Sequence, residues 1–258
     1  MKQAMCLMII LFAGLSAAEE TAESKSLSGS LETAVNNTNL GAAGGVPNDE
    51  ALLESQLMLR WSNDQSAWYG IAWWGSSLPE QPGRLNDEVD LTLGYEHFWQ
   101  HVALDASASY YAFDLTEKVE DDMWVADLKL KLRNLPVLQP YVHFRYFGEV
   151  GNESFDDGFF FFVGANRSQR LGFTLPWTEN EQALRINVQS AFTTGAFDNP
   201  AAYVYTRLSV GTDIELLDNV FLAPDVTYQF SGKDQDGGPS DYADGNQLLV
   251  RLGLRVEF

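Results

Sequence analysis

Cysteine is nearly missing: Cys6 is the one cysteine in 258 residues, and it sits inside an apolar leader. The chain beyond that leader therefore has no disulfide, no thiolate nucleophile and no cysteine metal site. Long apolar runs are missing as well. Nothing after the leader approaches ~18 consecutive apolar residues, so spanning helices are excluded. Basic residues are scarce, 16 Lys+Arg against 36 Asp+Glu. Such a chain offers no basic surface for phosphate backbones, which removes nucleic acid as a partner. No Gly-x-Ser-x-Gly elbow, His-Glu-x-x-His helix or glycine-rich phosphate loop is found.

What is present begins with Lys2, an apolar segment from Ala4 to Leu15, and Ser16-Ala17-Ala18 before Glu19-Glu20. This reads as a secretory signal peptide cut after Ala18. The apolar residues continue past Cys6, which argues against lipidation there. Cleavage leaves 15 of the 16 basic residues against 36 acidic ones, moving the net charge from −20 to −21. The expected organisation is a signal peptide over 1–18, a short periplasmic segment over 19–26, and one β-domain over 27–258. No linker, tandem repeat or low-complexity block interrupts it.

Alternation with a period of two dominates that domain. Leu248, Val250, Leu252, Leu254, Val256 and Phe258 share one face; Arg251, Gly253, Arg255 and Glu257 share the other. Similar two-faced runs are Trp124–Leu132 against Asp127, Lys129, Lys131 and Arg133; Val89–Tyr95 against Asp90 and Glu96; and Val204, Thr206, Leu208 and Val210 against Tyr205, Arg207 and Asp213. The pattern predicts strands at 27–39, 51–62, 67–76, 88–99, 102–115, 123–133, 139–150, 159–170, 183–196, 203–216, 220–231 and 247–258. Each is long enough, at ~9–11 residues or more, to cross a bilayer at a tilt.

A soluble sandwich also has one apolar face per sheet, so the membrane reading rests on more than alternation. Nine of the strands carry no charge on the apolar face, where a lipid-facing charge costs about 2–4 kcal/mol at the midplane. Connection lengths alternate between short and long, with 171–182 as the exception. Aromatic residues sit at strand ends on the apolar face: Trp61, Tyr95, Trp99 and Phe258 at one end, and Tyr110, Trp124, Tyr146, Phe192, Tyr228 and Phe230 at the other. Such rings prefer the headgroup zone. The last strand runs to an aromatic residue, and a sheet in a membrane must pair its last strand with its first. The expected fold is all-β: a closed, antiparallel, up-and-down transmembrane barrel of about twelve strands, with ten to fourteen possible and an even number required.

The ending Leu248 to Val256-Glu257-Phe258 resembles the C-terminal strand of Gram-negative outer-membrane proteins. That resemblance implies placement in the bacterial outer membrane, contact with its lipid and lipopolysaccharide, and reading of Phe258 by the barrel assembly machinery. The hairpin of Trp68-Tyr69-Gly70-Ile71-Ala72-Trp73-Trp74-Gly75 and Glu88–Tyr95 resembles porins of the TorF type, without transferring any functional residue.

By parity, the basic residues of the non-lipid face are Arg60, Lys129, Lys131, Arg133, Arg145, Arg185, Arg207, Arg251 and Arg255. The acidic ones are Glu54, Asp90, Glu96, Asp105, Asp127, Glu149, Asp213, Glu215, Asp225 and Glu257. Two readings stay open. The charges line a wet pore for small hydrophilic solutes, with Lys129, Lys131, Arg133 and Arg145 as a basic wall. Or they pair and plug the lumen, as in smaller barrels. Further alternatives are a non-conducting barrel acting through its outer loops, an enzyme built on His143 and a lumen serine such as Ser107, Ser109 or Ser209, and a soluble β-sandwich. The loop Lys233–Gly238 has part of a calcium-loop pattern but lacks its acidic twelfth position. No cofactor, catalytic group or metal site is expected.

Overall fold

In the computed structural model, residues 26–38, 51–78, 87–113, 122–135, 137–150, 157–178, 181–194, 202–231 and 246–258 are described. The expected signal peptide and the loop at 233–238 lie outside them. The strands are β1 (Ser26–Asn36), β2 (Ala51–Ser62), β3 (Ser66–Leu78), β4 (Asp87–Phe98), β5 (Val102–Phe113), β6 (Met123–Leu132), β7 (Gln139–Glu149), β8 (Gly158–Thr174), β9 (Glu181–Thr193), β10 (Ala202–Thr212), β11 (Ile214–Leu217), β12 (Val220–Ser231) and β13 (Gln247–Glu257). Sequential neighbours pair antiparallel except β10 and β11, which both pair with β12, and β1 pairs with β13. β10 and β11 are thus two halves of one wall strand interrupted at Asp213. The result is a closed barrel of twelve strands.

Closure is possible because alternation runs along most of every long strand. On β13 the even positions Leu248 to Val256 are exposed, while Arg251 reaches Glu32 and Glu54 on the opposite side of the sheet. The apolar side faces outward on all the strands, the reverse of a soluble sandwich. The few hydroxyls on that outer face bond each other: Thr33 with Ser55 at 2.9 Å and Ser190 with Thr206 at 2.8 Å. Hydrocarbon leaves such groups no other partner.

Connections hold two to six residues at the end where β1 begins and β13 finishes, hereafter the terminus end, and eight to fifteen at the opposite, far end. Asn63 Oδ1 accepts the backbone N–H groups of Gln65 (2.9 Å) and Ser66 (2.7 Å), closing the β2–β3 turn. Asn134 and Asn219 adopt φ of 59° and 64° in the β6–β7 and β11–β12 turns, a region asparagine tolerates better than most side chains.

Three expectations need correction. β8 runs to Thr174 instead of 170, through a register irregularity after Arg170 and Gly172 at φ 73°. With β9 starting at Glu181, the apparently long 171–182 connection becomes an extended hairpin with a short turn. The strand predicted over 203–216 breaks at Asp213, whose carboxylate turns to Arg185 and Arg255. Val204 is not on the outer face: a bulge between Tyr203 and Tyr205 turns it into the buried cluster and puts Tyr203 against Phe192 outside. The other boundaries shift by three residues or fewer.

Aromatic belts form at both ends, with members the alternation alone did not single out. Trp68 packs on Tyr95 at 4.8 Å, and Phe159 on Tyr146 at 4.8 Å. Cross-strand fit also uses glycine. Gly94 lies directly opposite Tyr69, whose ring covers the space a Cβ would take.

Candidate functional site

Among the described residues, most of the charge collects on the inner wall, and most of it is paired. Arg251 bridges β13 to β1 and β2, with Nη1 on Glu32 and Nε on Glu54, each at 2.6 Å. Trp73 Nε1 donates to Glu54 at 3.3 Å. Arg60 pairs with Glu96, and Arg185 with Asp213. Arg255 reaches Asp213 at 3.2 Å and Glu257 at 3.0 Å. Tyr69 donates to Asp105 at 2.7 Å. Arg207 donates to Gln229 at 2.7 Å and lies 4.3 Å above the Tyr205 ring.

Asp127 is the most heavily used acid. Its Oδ1 meets His143 Nε2 at 2.5 Å and accepts Arg145 Nε at 2.7 Å; its Oδ2 accepts Arg145 Nη2 at 3.1 Å. This two-pronged contact fixes the guanidinium plane as well as its charge. His143 also stacks on Phe162, with centroids 4.8 Å apart. The serines weighed as its partners are engaged elsewhere. Ser109 bonds Thr92 at 2.8 Å and Ser209 bonds Thr227 at 2.7 Å, while Ser107 faces Tyr69. No nucleophile–base pair forms around His143 among the described residues.

The basic wall is divided. Lys129, Lys131 and Arg133 share the inner face of β6 and its end and make no ion pair among the described residues; Arg145 on β7 is neutralised by Asp127. Lys129 lies 4.3 Å over Tyr141, and Arg133 lies 4.8 Å over Phe98, which also receives Arg60 at 5.6 Å. Asp90 stands between Trp73 and Tyr111 in register, with its Oδ1 buried and without a hydrogen-bond partner among the described residues. Asp225 accepts Thr227 Oγ1 at 3.1 Å, and Glu215 receives Thr178 and Trp177 from the β8–β9 turn. Glu149 and its neighbours cap the far end of β7.

Two inward acids escaped the parity reading, Glu32 and Glu88. Both were visible in principle. Leu27, Leu31 and Val35 set the outer face of β1 and put Glu32 inside, and Glu88 has the parity of Asp90.

Burial divides the lumen. Met123, Val125, Phe147, Phe160, Phe162, Ala191, Val204 and Tyr205 form an apolar cluster inside the barrel, flanked by Tyr111 and Phe113. The cluster sits on β6–β10, in the half of the barrel away from the termini. The arginines and acids of β13, β1, β2 and β4 stay partly exposed.

No family model matches the chain, and no curated protein matches it in sequence. Solved structures do. The KdgM porin aligns with TM-score 0.50 at 9% identity, covering 90% of this chain and 99% of that one. The NanC porin aligns with TM-score 0.51 at 8% identity, again over 90% and 99%. The COG4313 outer membrane channel from Pseudomonas putida F1 aligns with TM-score 0.50 at 13% identity over 94% and 98%. KdgM is also known in complex with disordered oligogalacturonate. At these identities the likeness establishes the fold alone, a closed antiparallel β-barrel like those of these porins.

Proposed function

We propose that the protein is a passive channel of the bacterial outer membrane, admitting small hydrophilic solutes through the barrel with no covalent step and no cofactor. The carrying observation is the inner wall of β6. Lys129, Lys131 and Arg133 present three cations along one strand, without a carboxylate partner among the described residues. Unpaired charge in a dry interior would cost several kcal/mol per ion. Its retention supports water in that part of the lumen, and an aqueous path is what diffusion needs. Twelve strands also lie between filled eight-stranded and open sixteen-stranded barrels.

Arg60, Lys129, Lys131, Arg133, Arg145, Arg185, Arg207, Arg251 and Arg255, with Asp90, Glu96, Asp105, Asp127 and Asp213, are the proposed pore-lining charges. Outer-membrane lipid and lipopolysaccharide are the proposed surroundings, and the seating of Phe258 on β1 supports its role as an assembly signal. Recording from purified protein in planar bilayers tests the channel. Discrete conductance steps are the expected outcome. Silence at all voltages from correctly folded protein removes the channel and leaves the barrel.

A further inference from the structure

We propose that the narrowest part of the conduit is built by strand-borne side chains at the level of Phe160 and Tyr205, off the barrel axis, with Arg145 as its charged edge. This rests on the channel reading above.

Phe160 occupies an inward position in the far half of β8, and Tyr205 the matching face of β10. Both are buried, at 0% and 1% exposure. An inward ring in an open lumen would keep one face in water. Full burial means that other side chains occupy the space in front of it. Two of them are borne on strands: Phe147, on β7, meets Phe160 edge-on at 5.6 Å, and Phe162, two residues along β8, stacks with it at 5.9 Å. Val125 completes the patch at 0% exposure. Apolar packing therefore fills the β6–β10 side of the lumen at this height. The passage that remains runs along the opposite wall, where Arg251, Glu32 and Glu54 keep 25%, 15% and 14% of their side-chain surface accessible.

Arg145 marks the boundary. It is the direct register partner of Phe160, lies 5.7 Å from the Phe147 ring, and is within electrostatic reach of Tyr111 and Tyr205. Asp127 grips it at two nitrogens, yet 21% of its side chain stays accessible. A fixed, partly wet guanidinium beside an apolar wall is the charge a solute meets as it passes the narrow section. A fixed charge there weighs more on ion choice than one in a wide vestibule, because field lines focus where water is thin.

The test uses full-length protein, checked for folding by heat-modifiable migration on gels, and single-channel recording in potassium chloride. Removing ring volume by Phe160→Ala or Tyr205→Ala should raise unit conductance, on the order of twofold for a section that dominates the series resistance. Phe160→Leu is the milder variant if alanine impairs folding, with a smaller rise. Leu57→Ala, on the outward face of β2, should leave conductance unchanged. Arg145→Gln should shift the reversal potential toward cations in a salt gradient with little change in conductance. If the wild type conducts and both ring truncations match it, the assignment of the constriction is overturned and the channel stands. If the wild type is silent and the truncations conduct, the cluster is a complete plug: the occlusion is supported and the native channel falls. If all folded variants are silent, both readings fall.

Discussion

Phe258 and Gly29 close the barrel on each other. Gly29 N donates to Phe258 O at 2.7 Å, Phe258 N donates to Gly29 O at 2.9 Å, and the phenyl ring lies over the glycine where a side chain would stand. Gly29→Ala should displace the ring and weaken the β1–β13 seam by about 1–3 kcal/mol, the usual cost of overpacking. Urea unfolding in lipid vesicles, followed by the heat-modifiable band, reads the loss. An unchanged midpoint would mean that the ring rotates away without cost.

Asp127 holds Arg145 and His143 at once. Asp127→Asn should destabilise the barrel by about 1–3 kcal/mol, because Arg145 is left with a poorer acceptor in a confined site. The double variant with Arg145→Gln should cost less than the sum of the two single changes, since both remove one interaction. Strict additivity would show that the contact contributes nothing.

Lys131 has no counter-ion among the described residues, whereas Arg251 has two carboxylates. Lys131→Gln should move the reversal potential toward cations more than Arg251→Gln does. The difference should shrink between about 0.1 M and 1 M salt, as the Debye length falls from about 10 Å to about 3 Å. Equal shifts would mean that pairing does not decide which inner charges an ion feels.

Leu252 lies midway along the outward face of β13, at 53% exposure. Leu252→Arg should cost about 2–4 kcal/mol of folding stability in a bilayer, and Val256→Arg, nearer the terminus end, about 0–1 kcal/mol. No dependence on depth would argue that this face does not meet hydrocarbon.

Much of this architecture was legible because two-residue periodicity is a local property. The inward side chains of β6, β7 and β13 follow from their immediate neighbours in sequence. Pairing is not local. Arg251 meets Glu54 across 197 residues of chain, a contact fixed by closure and invisible to any window. Parity also fails wherever the ladder slips. One bulge turned Val204 inside, and the irregularity after Arg170, with Gly172 in a left-handed conformation, hid the last turn of β8. The apolar cluster was hidden for another reason. Phe147, Phe160 and Tyr205 sit at inward positions, which the alternation marks only as not facing lipid; whether such a ring meets water or another ring depends on strands far away in sequence.

The stave formed by β10 and β11 is cut through at Asp213, yet the turn after β8 reaches across it. Trp177 Nε1 donates to the Glu215 carbonyl at 2.9 Å, and Thr178 grips the same residue's carboxylate. A severed plank clasped by its neighbour can bend without the hoop springing open. At the rim beside Glu215 the turn after β8 thus spans the gap that Asp213 leaves in the stave.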